Sequence, residues 1–192
     1  LIDLGNKSRS ESNDSQDSLI VSLLRLFGAY PEILAWEKLW MDSREMQRSR
    51  MYTHLKGLNS ELQVGWHIDH GMTWDLFTRA FNDYSTMPTY SDWLSTAVYF
   101  DSMGRRSYNH FNNVYKNMLF KGVPEEAAYS TYLSLLGYDP EKQPELNRHR
   151  QKDTPFSADY VYKECHRAVK AVKGGCRIYG RVGFDMPGYD CG

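Results

Sequence analysis

Three short apolar runs separated by helical stretches set the tightest limit on how this chain can fold. Leu62 to Asp69 (LQVGWHID), Leu94 to Phe100 (LSTAVYF) and Arg177 to Asp185 (RIYGRVGFD) are each bounded by turn residues and read as buried strands. The first two begin about 32 residues apart, the length of one strand–helix–strand unit, and Trp74 to Tyr84 between them is helical in pattern. Strands alternating with helices imply a parallel sheet with helices outside it. The expected fold class is therefore α/β, a partial TIM (β/α)8 barrel made of roughly strands five to seven and their helices. Three strands cannot close a barrel, so the remaining strands are expected in sequence outside this stretch.

Residues 1–17 (LIDLGNKSRSESNDSQD) are polar and read as a loop or mobile segment. Residues 18–192 form the expected C-terminal part of a barrel domain. Leu19, Leu23, Leu24 and Phe27 recur at helical spacing. Pro31 fits the start of a second helix, whose stripe of Ile33, Trp36, Trp40, Met51 and Leu55 runs toward a C-cap at Gly57, its tryptophans expected in the core. Helices are expected at about 106–121 and 124–136. Ser157 to Lys173 reads as an amphipathic helix with Val161, Cys165, Ala168 and Val172 on its apolar stripe, capped by Ser157 and ended by Gly174–Gly175. Residues 101–155 read as an insertion in the loop leaving a strand's carboxyl end, where extra chain builds walls over a site. The chain starts at Leu1 rather than Met and stops just after a strand-like run, so both ends look cut and a signal peptide is neither seen nor excluded.

The 23 Lys and Arg residues nearly balance the 24 Asp and Glu, which argues against a dedicated nucleic-acid surface. No apolar run is long enough to span a membrane. Cys165, Cys176 and Cys191 lack metal-binding or disulfide-framework spacing. Cys165 reads as a buried thiol, and a Cys176–Cys191 bridge stays open for a secreted protein. The aromatic share of 14% suits sugar stacking and a large core alike.

In parallel α/β folds ligands bind beyond the carboxyl ends of the strands. All three strand-like runs end in an aspartate: Asp69, Asp101 and Asp185. Helix capping explains one such residue. Three of them, with His67, His70, Arg105 and Arg106 alongside, point to a shared site. Paired carboxyl groups suit glycoside hydrolysis, in which one protonates the leaving oxygen and the other attacks or activates water. In this reading Asp185 is nucleophile or base, Asp101 and Asp69 support it, and Arg105 or Arg106 keeps a neighbouring carboxylate ionised. Trp66, His67, His70 and Tyr99 bind hydroxyls or stack on a ring. Two alternatives stand beside it. His67, Asp69 and His70 offer three ligand types to a hydrolytic metal ion, without a specific zinc spacing. A non-catalytic carbohydrate-binding barrel uses the same rim. No cofactor is implied.

The runs AWEKLWMDS (35–43), LQVGWHIDHGMTWDLFTRAFNDY (62–84), YSDWLSTAVYFDSMGRRS (90–107) and IYGRVGFDMPG (178–188) resemble a group of hypothetical glycosyl hydrolases. These are predicted (β/α)8 barrels distantly similar to β-galactosidase-type barrels. The resemblance covers about residues 18–188. It implies an acid/base glutamate on an earlier strand, so that the present chain alone is expected to be inactive. It also implies that Trp66, His67 and His70 face the site and that Asp185 is the carboxylate nearest the cleft. Asp69 and Gly71 depart from the family pattern W-H-x-W-H-N, which removes a stacking ring at position 69. The run after Asp101 departs from a Cys-Gly-Gly type run.

Overall fold

The computed structural model describes residues 19–98, 100–150 and 155–181, with side-chain detail outside the description at 19, 20, 97 and 100–102. The described residues are mostly helical, 63%, with 8% strand in one small three-stranded parallel sheet. This overturns the partial barrel. The strands are too short and the helical mass too large for a run of regular strand–helix units, and most of the core is built by helices packing on helices.

Two helices lead the described chain: α1 (Leu19–Ala29) and α2 (Glu32–Leu58). Pro31 separates them in a helical conformation (φ −63°), where its missing N–H costs nothing. α2 runs past the expected stop at Gly57 and ends on extended Asn59. Trp36 and Trp40 are 67% and 56% exposed, not in the core; Met41 is the buried residue of this helix. Charged residues surround its apolar positions, so no single stripe is broad enough to turn all of them inward.

β1 (Gly65–His67) follows, then two short helices, α3 (Gly71–Trp74) and α4 (Leu76–Phe81). β2 (Trp93–Ala97) pairs with β1 in parallel, Gly65 opposite Trp93 and His67 opposite Ser95. β3 (Arg177–Arg181) pairs with β2 on its other side, Trp93 opposite Arg177 and Ala97 opposite Arg181. The sheet order is β1-β2-β3. Each strand is shorter than the apolar run that announced it. Asp101 consequently lies in the first turn of α5 (Phe100–His110) instead of at a strand end, with its side chain outside the description.

α5 passes into a π-helical turn (Phe111–Tyr115), where the Lys116 amide reaches back to the Phe111 carbonyl at 2.8 Å. α6 (Glu125–Leu135), α7 (Leu146–His149) and α8 (Ala158–Val172) complete the helices. The expected insertion thus carries most of the larger core: Phe111, Tyr115, Phe120, Tyr129, Tyr132 and Tyr138 pack with Met103 and Leu136, and Phe156 and Tyr160 join them from the segment that follows. Ser157 caps α8 by accepting from the Tyr160 amide, as its residue type suggests. The buried stripe of α8 is Tyr160, Glu164, Ala168 and Val172, rotated from the expected one, with Val161 and Cys165 only partly buried beside it. Lys173 takes the left-handed position that ends the helix (φ 49°) and Gly174 follows at φ 79°.

A second, smaller core joins the sheet to α8 through Ile68, Met72, Tyr84, Met87, Tyr90, Leu94, Ala168 and Val172. Side chains alternate across a strand. Trp66, Leu94, Thr96 and Ile178 therefore face this core, and His67, Trp93, Ser95, Arg177, Tyr179 and Arg181 face the other way. Asp92 pins the amino end of the sheet. Its carboxylate accepts from the Val64 amide (2.8 Å) and the Tyr52 hydroxyl (3.1 Å) and pairs with Lys56 (2.8 Å), tying α2 to both strand starts.

Candidate functional site

The open face of the sheet holds a groove of about 490 Å³ lined by Gln63, His67, Trp93, Ser95, Arg177, Tyr179 and Arg181. The strand register builds it. Trp93 sits between the two neighbouring strands, with His67 at 5.6 Å and Tyr179 at 6.2 Å between ring centroids, both edge-on. Gly65 makes this possible, because an added Cβ there would overlap the Trp93 ring and carbonyl. Tyr179 is 49% exposed and presents ring surface to solvent. Ser95 lies on the floor, 3% exposed, and its Oγ has no hydrogen-bond partner among the described residues. A buried hydroxyl left without a partner is costly unless something supplies one.

Beyond the carboxyl end of β1 the chain turns through Asp69 and His70 into α3. The Asp69 carboxylate accepts from the Gly71 amide (2.9 Å) and pairs with Arg44 of α2 (3.0 Å). Burial works to raise its pKa, but the Gly71 amide and Arg44 outweigh that and hold it below the ordinary carboxylate value. Asp69 is thus an ionised anchor for the rim, ill suited to donating a proton. His70 tilts against the Trp74 ring at 5.2 Å, with its Nδ1 3.5 Å from an Arg106 guanidinium nitrogen. Burial and the Arg106 charge lower its pKa, Asp69 opposes them, and Arg181 adds to the lowering. Arg181 therefore links the rim to the groove that it also lines.

A further polar cluster lies behind Trp74. Asp75 caps α4 by accepting from the Thr78 amide. Burial disfavours its charge, yet His110 Nε2 at 2.9 Å, the Thr78 amide and the Tyr115 hydroxyl at 2.7 Å bring it to about 2. With its acceptor sites occupied, Asp75 holds α4 against α5 and the turn that follows.

The structure distributes the sequence-predicted residues unevenly. His67 is in the groove. Asp69 and His70 are on the adjoining rim, each engaged by an arginine. Trp66 is not a ligand-facing ring: it packs on the smaller core and its Nε1 donates to the Tyr90 carbonyl at 2.8 Å. The strand alternation that puts His67 in the groove turns Trp66 away. Arg105 is exposed on α5 and does not line the groove. Tyr99 and Asp185 lie outside the described residues, as does Cys191; Cys176 is half-buried. Among the described residues no group of three His, Cys, Asp or Glu side chains is placed to hold a metal ion. His67, Asp69 and His70 face three different sets of neighbours and do not meet as a ligand set. No described helix is long and apolar enough to cross a membrane. Trp93, Ser95, Arg177, Tyr179 and Arg181 escaped the reading of strand ends, although the alternation of WLSTA and RIYGR carries the signal: both put their aromatic and polar residues on one face. No protein-family model, curated protein or solved structure matches this chain.

Proposed function

We propose that the groove binds a carbohydrate and that the protein is glycoside hydrolase-like, with sugar recognition carried by the open face of the sheet. The observation that carries this reading is the buried, unpartnered Ser95 hydroxyl on a floor bordered by Trp93, Tyr179 and His67. Sugars present apolar C–H faces next to hydroxyls, and such a surface offers ring faces next to a hydrogen-bonding group. Gln63 adds an amide to the same lining. The described lining includes no carboxylate. Cleavage in this reading rests on Asp185 as nucleophile or base, with Asp101 and Asp69 as supporting carboxylates.

The test is titration of the protein with a panel of neutral oligosaccharides, followed by Trp fluorescence and by NMR. Saturable binding is expected, and Trp93→Ala should weaken it by about tenfold or more, since loss of a stacking ring costs on the order of 1–2 kcal/mol. Turnover of aryl glycosides, abolished by Asp185→Asn with binding retained, would assign cleavage to that carboxylate. Binding unaffected by Trp93→Ala and Ser95→Ala would remove the groove from the proposal.

A further inference from the structure

We propose that this groove selects acidic sugars, with a ring carboxylate or sulfate ester held by Arg177 and, farther along the strand, Arg181. The inference rests on the carbohydrate reading above and adds the charge of the ligand. The two arginines occupy the same face of β3, four residues apart, so their Cα atoms are ~13 Å from each other with Tyr179 midway. Arg177 stands opposite Trp93 in the parallel register, which puts a guanidinium beside the ring that would carry a sugar. Arg177 is exposed and makes no ion pair among the described residues. The chain as a whole is nearly neutral, with 23 basic and 24 acidic side chains. The described lining of the groove includes Arg177 and Arg181 and no acidic residue, unlike the balanced chain as a whole. The planar fork of arginine matches a carboxylate or a sulfate through paired hydrogen bonds, and a neutral hydroxyl gives it less. An aromatic platform with an arginine beside it and another one further residue pair along reads as a track for a sugar chain bearing anions.

The test compares trisaccharides of galacturonate and glucuronate, their 6-O-sulfated neutral-sugar analogues, and the uncharged galactose and glucose trimers, by calorimetry on the protein at low and high salt. At least one acidic trimer is expected to bind about tenfold tighter than its uncharged counterpart at low salt, from one added charge-assisted contact. That advantage should shrink as salt rises, because exposed charge pairs are screened. Arg177→Gln should abolish most of the advantage of the acidic trimers over their uncharged counterparts, measured as the ratio of the two affinities in the same variant. Whether the uronates or the sulfate esters show the preference identifies the anion. Equal binding of charged and uncharged trimers overturns the inference and leaves the carbohydrate reading standing. An acidic preference that survives Arg177→Gln overturns the assignment of the anion to that residue. Absence of binding by all the trimers, with Trp93→Ala also silent, overturns both.

Discussion

Glu164 shows how one residue can be invisible as a structural element in sequence and central in the fold. It sits on the apolar stripe of α8, where a carboxylate breaks the pattern, yet its side chain is 1% exposed. Arg79 Nη1 at 2.9 Å, Arg167 Nη2 at 2.6 Å and the Tyr138 hydroxyl at 2.9 Å hold it, joining α4, α8 and the loop after α6. The same two arginines donate to the Met72 carbonyl, at 3.1 and 2.9 Å, and so close the unsatisfied end of α3. Removing one member of a buried ionic network leaves the others desolvated and unpaired. Glu164→Leu should therefore destabilise the protein by about 3–5 kcal/mol, read from the shift in the urea unfolding midpoint. Glu164→Gln, which keeps hydrogen bonds but not charge, should cost less. A Glu164→Leu loss under about 1 kcal/mol would mean that both arginines turn out to water without penalty.

At the level of the element, β1 and β2 depend on a glycine. Gly65 faces Trp93 across the ladder, and the space a Cβ needs is already filled by that ring and carbonyl. Gly65→Ala should force Trp93 away, at a cost of about 1–3 kcal/mol for overpacking. Because Trp93 also forms the groove, the same substitution should weaken ligand binding at temperatures where the protein remains folded. Thermal melts and sugar titrations of the one variant separate the two effects. Unchanged binding would show that the ring need not sit where β1 leaves it. Gly65 could have been noted in sequence as a glycine interrupting an apolar run, since that often marks close backbone approach. What it approaches depends on strand register, which a single strand does not encode.

For the molecule as a whole, acid should weaken the fold in two windows. His149 is buried between Tyr129 and Phe156, its Nδ1 2.8 Å from the Tyr129 hydroxyl, and burial lowers its pKa from 6.5 to about 4. Its folded value lies below its unfolded one, so the unfolded chain takes up the proton first. The corresponding stability is complete above pH 6.5 and is lost as pH falls toward 4, on the order of 3 kcal/mol. Asp75 and Glu125 behave differently. Burial opposes their charge, but hydrogen bonds from His110 and Thr78 to Asp75, and from Arg150 and Lys116 to Glu125, bring both to about 2. Their contribution is present above the ordinary carboxylate range and disappears as pH falls through it toward 2. Denaturant unfolding at successive pH values should show both phases. His149→Gln should remove most of the upper phase, with the remainder coming from His70, and leave the lower one. Persistence of the upper phase in that variant would trace it to another group.

Sequence alone placed the main helices and the three strand-like runs approximately, because these follow from local patterns: the cap at Ser157, the helix end just before Gly174, the break at Pro31, the apolar stretches around Trp66, Leu94 and Ile178. It also drew attention to His67, Asp69 and His70, since ligands of parallel α/β folds bind beyond the carboxyl ends of the strands. Only the tertiary structure decided that the sheet is a minor part of a largely helical molecule, that Trp66 faces the core while Trp93 and Tyr179 face outward, and that Asp69 is committed to Arg44. The physical reason is that element type is fixed by neighbours a few residues apart. Which face is covered, and which charge finds a partner, is settled by side chains that meet only after the chain has folded, such as Arg44 with Asp69 or Arg79 with Glu164.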